Sequence, residues 1–140
     1  MADGPIQLSI NIDVPDLDAA TRFYVDAFGF RVGRRLGAAG TELVGGAVPL
    51  YLLPREWNSQ ATESSWAVRN YERHWTPVHF DVIVSDVVAA RARALAAGAL
   101  PEGEVSEHDW GRMARLADPF GHGVCLIEFS ERGYDALTTG

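Results

Sequence analysis

The sequence carries one cysteine, Cys125, and four histidines, the side chains with the widest chemical reach near neutral pH. A thiol beside an imidazole base makes a nucleophile. An imidazole alone can shuttle a proton or hold a metal. His79 with Cys125 is one such pairing, although an unpaired cysteine more commonly serves as a small buried filler. A single cysteine excludes an intramolecular disulfide and an all-cysteine zinc site. Two groups of aromatic and charged residues add a second kind of chemistry. Tyr71, Arg73, His74 and Trp75 form one; His108, Asp109, Trp110 and Arg112 form the other. Such side chains can cover a planar or cationic ligand by stacking or cation–π contact. Their duller uses are a contact between two copies of the chain for the first group and sheet-edge packing for Trp110. Arg112 and Arg115 are three residues apart on one predicted strand. Side chains alternate along a strand, so at most one of the two can reach a shared site.

The elements that must position these residues are readable from periodicity. Gln7–Ile12 alternates polar and apolar residues, the period of a half-buried strand. Leu8, Ile10 and Ile12 form one face, expected to pack on a helix; Gln7, Ser9 and Asn11 form the other. Asp16 stands where an N-cap belongs, with Ala19, Ala20, Phe23 and Ala27 on one helical face and Gly29 at the stop. Strands are expected over 30–36, 41–44 and 48–53. The alternation puts either Tyr51 or Leu50 on the polar face, and Tyr51 is preferred. The second half reads alike. Val78–Val84 is a strand with His79, Asp81 and Ile83 on one face and Phe80, Val82 and Val84 on the other. Asp86 caps a helix through Ala97, stopped by Gly98. Strands follow near 102–107, 112–117 and 123–129, with Cys125 and Ile127 opposing Val124 and Leu126. Asp118-Pro119-Phe120-Gly121 is a turn by composition, and His122 reads as a solvent-side residue after it. Glu128 falls on the face opposite Cys125.

Val14-Pro15-Asp16-Leu17-Asp18-Ala19-Ala20 recurs as Val84-Ser85-Asp86-Val87-Val88-Ala89-Ala90, an offset of 70 residues in a chain of 140. The order of elements, βαβββ, repeats with it. The expected organisation is one α+β domain over 1–140. It divides into module one at 6–54, a connecting segment at 55–76, module two at 77–130 and a C-terminal tail at 131–140. The connecting segment holds Trp57, Trp66, Tyr71 and Trp75, too many aromatics for a mere linker. Twelve arginines, no lysine and 19 acids give a formal charge of −7. That balance argues against nucleic acid and anionic membrane as partners and favours cationic ligands. No apolar run is long enough to span a bilayer. The first residues lack the basic and apolar segments of a signal peptide, so the expected location is cytoplasmic.

Val14-Pro15-Asp16-Leu17, Arg22-Phe23-Tyr24, Phe28-Gly29-Phe30, His79 through Asp86, Ala96-Ala97-Gly98-Ala99 and Asp118-Pro119-Phe120-Gly121-His122 together resemble the vicinal oxygen chelate superfamily of glyoxalase I, bleomycin-resistance proteins, fosfomycin-resistance proteins and extradiol dioxygenases. The resemblance implies two tandem βαβββ modules forming a cupped mixed sheet. In metal-dependent members the cup holds a divalent ion that acts as a Lewis acid. Carried over by position, the ligand places fall on Ser9, Tyr51, His79 and Cys125. A serine hydroxyl and a neutral phenol are poor ligands, so no metal and no other cofactor is expected, with His79 the only plausible residual ligand. The expected ligand-binding residues are Ser9, Asn11, Tyr51, Trp75, His79, Asp81, Trp110 and Cys125. The function expected is binding of a small organic molecule in the cup without a metal, as in bleomycin-resistance proteins, with two chains paired as a homodimer. The alternative is a metal-dependent glyoxalase-like lyase or isomerase, or a dioxygenase, using His79 with atypical partners.

Overall fold

The structure is a computed structural model that describes residues 4–139. The chain divides into two compact units. The first comprises the residues up to Val25 with Gly29–Asn70, and the second Asp26–Phe28 with the residues from Tyr71 onward. The connecting segment is thus shared: 55–70 goes with the first unit and 71–76 with the second.

In the first unit β1 (Ile10–Val14), β2 (Arg31–Arg35), β3 (Thr41–Val44) and β4 (Leu50–Pro54) form a four-stranded sheet in the order β1-β4-β3-β2. β1 and β4 are parallel, with Asn11 beside Tyr51; the other pairs are antiparallel. Helix α1 (Leu17–Phe28) starts where Asp16 accepts from the Ala19 N–H at 3.0 Å and ends at Gly29 in the left-handed conformation. Such a cap is worth about 1 kcal/mol. Ile12, Val14, Leu43, Leu50 and Leu52 are buried, each burial contributing about 2 kcal/mol. Leu8, expected on that apolar face, is exposed. The parallel ladder starts only at Ile10 against Leu50, so residues 7–9 lie outside it. Arg69 straps the 55–70 segment to the sheet, donating to the Asp13 carboxylate at 2.8 Å and to the Gln60 carbonyl at 2.7 Å.

The second unit repeats the plan. β5 (Asp81–Ile83), β6 (Leu100–Pro101), β7 (Ser106–His108), β8 (Gly111–Ala117) and β9 (Gly123–Phe129) form a five-stranded sheet. Its order is β5-β9-β8-β6, with β7 also paired to β8. β5 and β9 are the parallel pair. Helix α2 (Val87–Ala97) lies against β8 and β9, capped by Asp86, which accepts from Val88 and Ala89, and stopped by Gly98. The strand expected over 102–107 is two short ones, because Glu102–Val105 turns away between β6 and β7. Asp118 is buried and accepts from the N–H groups of Phe120 and His122, which closes the predicted turn. His122 is not a solvent-side residue. It is half-buried, with its ring edge-on to Tyr71 and His74. Among the described residues no helix is long and apolar enough to cross a membrane.

One charged cluster is built into the first sheet. Glu42 is buried on β3. Its carboxylate accepts two bonds from the Arg34 guanidinium, one from the Arg34 backbone N–H and one from the Tyr51 hydroxyl. The Arg34 side chain, then its backbone N–H, hold the carboxyl at about 2, against an ordinary value of 4.5. A carboxyl depressed on folding stabilises the folded state above its ordinary pKa, and that stabilisation is lost as pH falls toward the folded value. Glu42→Gln is therefore expected to lower the urea midpoint at neutral pH and to flatten its decline between pH 4.5 and 2. Urea titrations across this range check it; a decline as steep as that of the parent chain overturns it.

Candidate functional site

The site is built on the face of the second sheet that carries Cys125. The ladders align side chains in rows across β8, β9 and β5. Arg115 is opposite Cys125, and Cys125 is beside Asp81. The next row is Met113, Ile127 and Ile83. On the other face Arg112 pairs with Glu128 at 2.8 Å, and Glu128 also accepts from the Val87 N–H at the start of α2. Those bonds hold the Glu128 carboxyl below its usual range. Of the two arginines, then, only Arg115 belongs to the site, and Glu128 does not.

A pocket of about 350 Å³ stands over these rows. Trp75, His79, Asp81, Trp110 and Cys125 line it, as do Met113, Arg115, Ile127 and Tyr134. Trp75 is a placed wall. Its indole Nε1 donates to Glu102 at 2.9 Å, and the Arg73 guanidinium, paired with the same carboxylate, lies 4.4 Å over its ring. Its ring lies across Gly123, where an added Cβ would come within 2.7 Å of it. Any larger residue at 123 must displace the indole. Trp110 stacks on His108, ring centroids 4.6 Å apart and nearly parallel, and Tyr134 tilts against it at 5.7 Å.

At the floor, His79 Nδ1 is 3.5 Å from the Asp81 carboxylate. Cys125 is buried, and its sulfur lies within 4.8 Å of the Asp81 carboxylate. Burial first, and then the Asp81 charge, push the thiol up to about 11. Cys125 is thus a protonated thiol at neutral pH rather than a nucleophile.

Five of the eight residues expected from sequence meet at this pocket: Trp75, His79, Asp81, Trp110 and Cys125. Ser9, Asn11 and Tyr51 belong to the first unit. Ser9 is exposed before β1, Asn11 is exposed on it, and the Tyr51 hydroxyl is committed to Glu42 and Arg34. Tyr134 and Glu102 were not legible as site residues. Tyr134 comes from the tail, folded back by a short 3-10 turn (Gly133–Leu137) against Phe129 and Trp110. The signal for it was slight: it is the one aromatic residue after β9.

The donor atoms of His79, Asp81 and Cys125 lie within 4.8 Å of one another. Binding a divalent ion there would work against the site's own charges and protonation. Cysteine ligates as thiolate, and in the absence of an ion burial and the Asp81 charge hold this thiol protonated, so an ion would have to displace its proton. The Asp81 carboxylate also engages the imidazole, and the Arg115 cation adjoins Cys125 in the same row.

Residues 9–127 match the family model described as a glyoxalase-like domain. The chain belongs to that family. Solved structures similar to this glyoxalase-like domain include TioX from Micromonospora sp. ML1, 23% identical with a TM-score of 0.68, covering 90% of this chain and 100% of that one. TnmS3, an antibiotic binding protein from Streptomyces sp. CB03234, is 23% identical with a TM-score of 0.64, covering 93% and 100%. The fosfomycin resistance protein FosX from Listeria monocytogenes is 17% identical with a TM-score of 0.67, covering 94% and 95%. At these identities the likeness is one of fold, and it bears out the α+β glyoxalase/bleomycin resistance/dioxygenase architecture. No curated protein matches the chain in sequence.

The thiol makes a direct test. Iodoacetamide is expected to modify Cys125 more slowly than a free thiol at neutral pH, the rate still climbing as pH approaches 11. Asp81→Asn removes the charge that helps to raise the thiol, so its reaction at pH 8 is expected to be faster than the parent's. A fast, pH-independent reaction in the parent chain overturns the assignment.

Proposed function

We propose that this glyoxalase-like domain binds a small organic molecule in the pocket of its second unit, without a resident metal. The observation that carries the reading is the pocket itself: about 350 Å³, with two tryptophans held as walls by their own partners. Indole faces bury a large area of a planar ligand at low entropic cost, because their orientation is already set. The mix of apolar wall and a few polar floor groups is what small-molecule sites present. Cys125 as a thiol, together with the adjacent His79 and Asp81, supplies hydrogen-bonding groups rather than a nucleophile. One similar fold carries a description of small-molecule binding, the antibiotic binding protein TnmS3.

A second reading, a metal-dependent lyase, isomerase or dioxygenase, draws on the proximity of His79, Asp81 and Cys125. Two measurements separate the two. Metal analysis of protein purified without added metal is expected to show substoichiometric Zn, Ni, Fe and Mn; one equivalent of any of them favours the second reading. The neutral dye N-phenyl-1-naphthylamine is expected to bind the parent chain with a rise in its fluorescence. Trp110→Ala is expected to weaken that binding at least about tenfold, roughly 1.4 kcal/mol. Dye binding that is indifferent to Trp110 removes the pocket as the site.

A further inference from the structure

Arg115 differs from the other arginines of the second unit. Arg73, Arg91 and Arg112 are paired with Glu102, Glu104 and Glu128. Arg93 and Arg132 donate to the backbone carbonyls of Asp26 and Asp135. The Arg115 guanidinium has no hydrogen bond or ion pair among the described residues, yet it lines the pocket. Its register opposite Cys125 sets it on the floor face rather than with Arg112 on the other. Neither nearby acid, Asp81 or Glu102, forms an ion pair with it. Asp81 meets the His79 imidazole and the Cys125 thiol. Glu102 takes two nitrogens of Arg73 and the indole N–H of Trp75.

We propose that the pocket selects a planar organic acid, and that Arg115 binds its oxyanion. This rests on the pocket being the ligand site. A guanidinium presents a fork of N–H donors matched to the paired oxygens of a carboxylate, sulfonate or phosphonate. With no protein acceptor in reach, those donors are free for a ligand. The Cys125 thiol beside it is uncharged and does not compete. The aromatic walls set by Trp75 and Trp110 suit the planar body of such a ligand, and the Met113–Ile127 row gives it an apolar floor. The net charge of −7 points to cationic ligands. The pocket floor carries both signs, with Asp81 and Arg115 on either side of Cys125, and Arg115 supplies the local cation an oxyanion needs.

The test compares two dyes sharing one aromatic frame. 8-Anilinonaphthalene-1-sulfonate carries an oxyanion, and N-phenyl-1-naphthylamine does not. Both are titrated against the full chain and against Arg115→Met, Arg115→Lys and Arg22→Met. Arg22 is an exposed arginine of α1 in the first unit and controls for loss of a positive charge. The parent chain is expected to bind the sulfonate at least tenfold more tightly than the neutral dye. Arg115→Met is expected to erase that preference, the sulfonate losing at least tenfold more affinity than the neutral dye. Arg115→Lys is expected to keep part of it, and Arg22→Met all of it. Equal affinities in the parent chain, or a preference that survives Arg115→Met, overturn the oxyanion assignment and leave the pocket standing as the site. Failure of both dyes to bind overturns the pocket reading and this inference with it.

Discussion

The parallel register of β5 against β9 is the constraint on which the site depends. It sets Asp81 beside Cys125, and the antiparallel register of β9 with β8 sets Arg115 on the other side of the same thiol. Three chain-distant residues become one row because side chains in register share a face. A slip of one residue would replace that row with apolar partners and send the charges toward α2. The buried residues Val124 and Leu126 on β9 and Ala114 and Leu116 on β8 oppose such a slip, because the face opposite the site must remain apolar. Packing on one face of the sheet thus holds the chemistry on the other.

The first unit shows what the same plan does when its charges are closed. Its parallel pair sets Asn11 beside Tyr51, and its antiparallel pair sets Glu42 on the other side of Tyr51. Asn11 and Asp81 are one repeat apart. Here the cross-strand acid is answered from within the sheet, by Arg34 and the Tyr51 hydroxyl. In the second unit the residue in the corresponding place is a base, Arg115, and the nearby acid, Glu102, is bound to Arg73 instead. The two sheets thus carry opposite charge arrangements on one ladder pattern. One is self-satisfied and structural, while the other leaves a cation facing a pocket.

The two helices were legible to the residue, because an aspartate that accepts first-turn N–H groups and a glycine in the left-handed conformation are local signals. The strands at 41–44 and 123–129 were legible for a similar reason, each lying between turn residues. The starts of β1 and β5 were not. Alternation continued upstream through Leu8 and Val78, but a strand exists only where a neighbour pairs with it, and the partners begin at Leu50 and Cys125. His122 was misread because its half-burial comes from Tyr71 and His74, residues of a segment whose path composition does not encode.

Sequence alone determined the repeated βαβββ order, the family, the facing of His79, Asp81 and Cys125, and the opposition of Arg112 and Arg115. All of these follow from local period or from spacing along one strand. Tertiary structure alone decided which charges are spent. Asp81 is occupied by His79 and Cys125, Glu102 draws Arg73 and Trp75 to the pocket rim, and the tail returns Tyr134 to its wall. Such pairings join residues far apart in the chain, and their partners follow from sheet register and loop path. The net charge of −7 is a sum over the whole chain. It does not report the local arrangement in the pocket, where Asp81 and Arg115 flank Cys125 in one row.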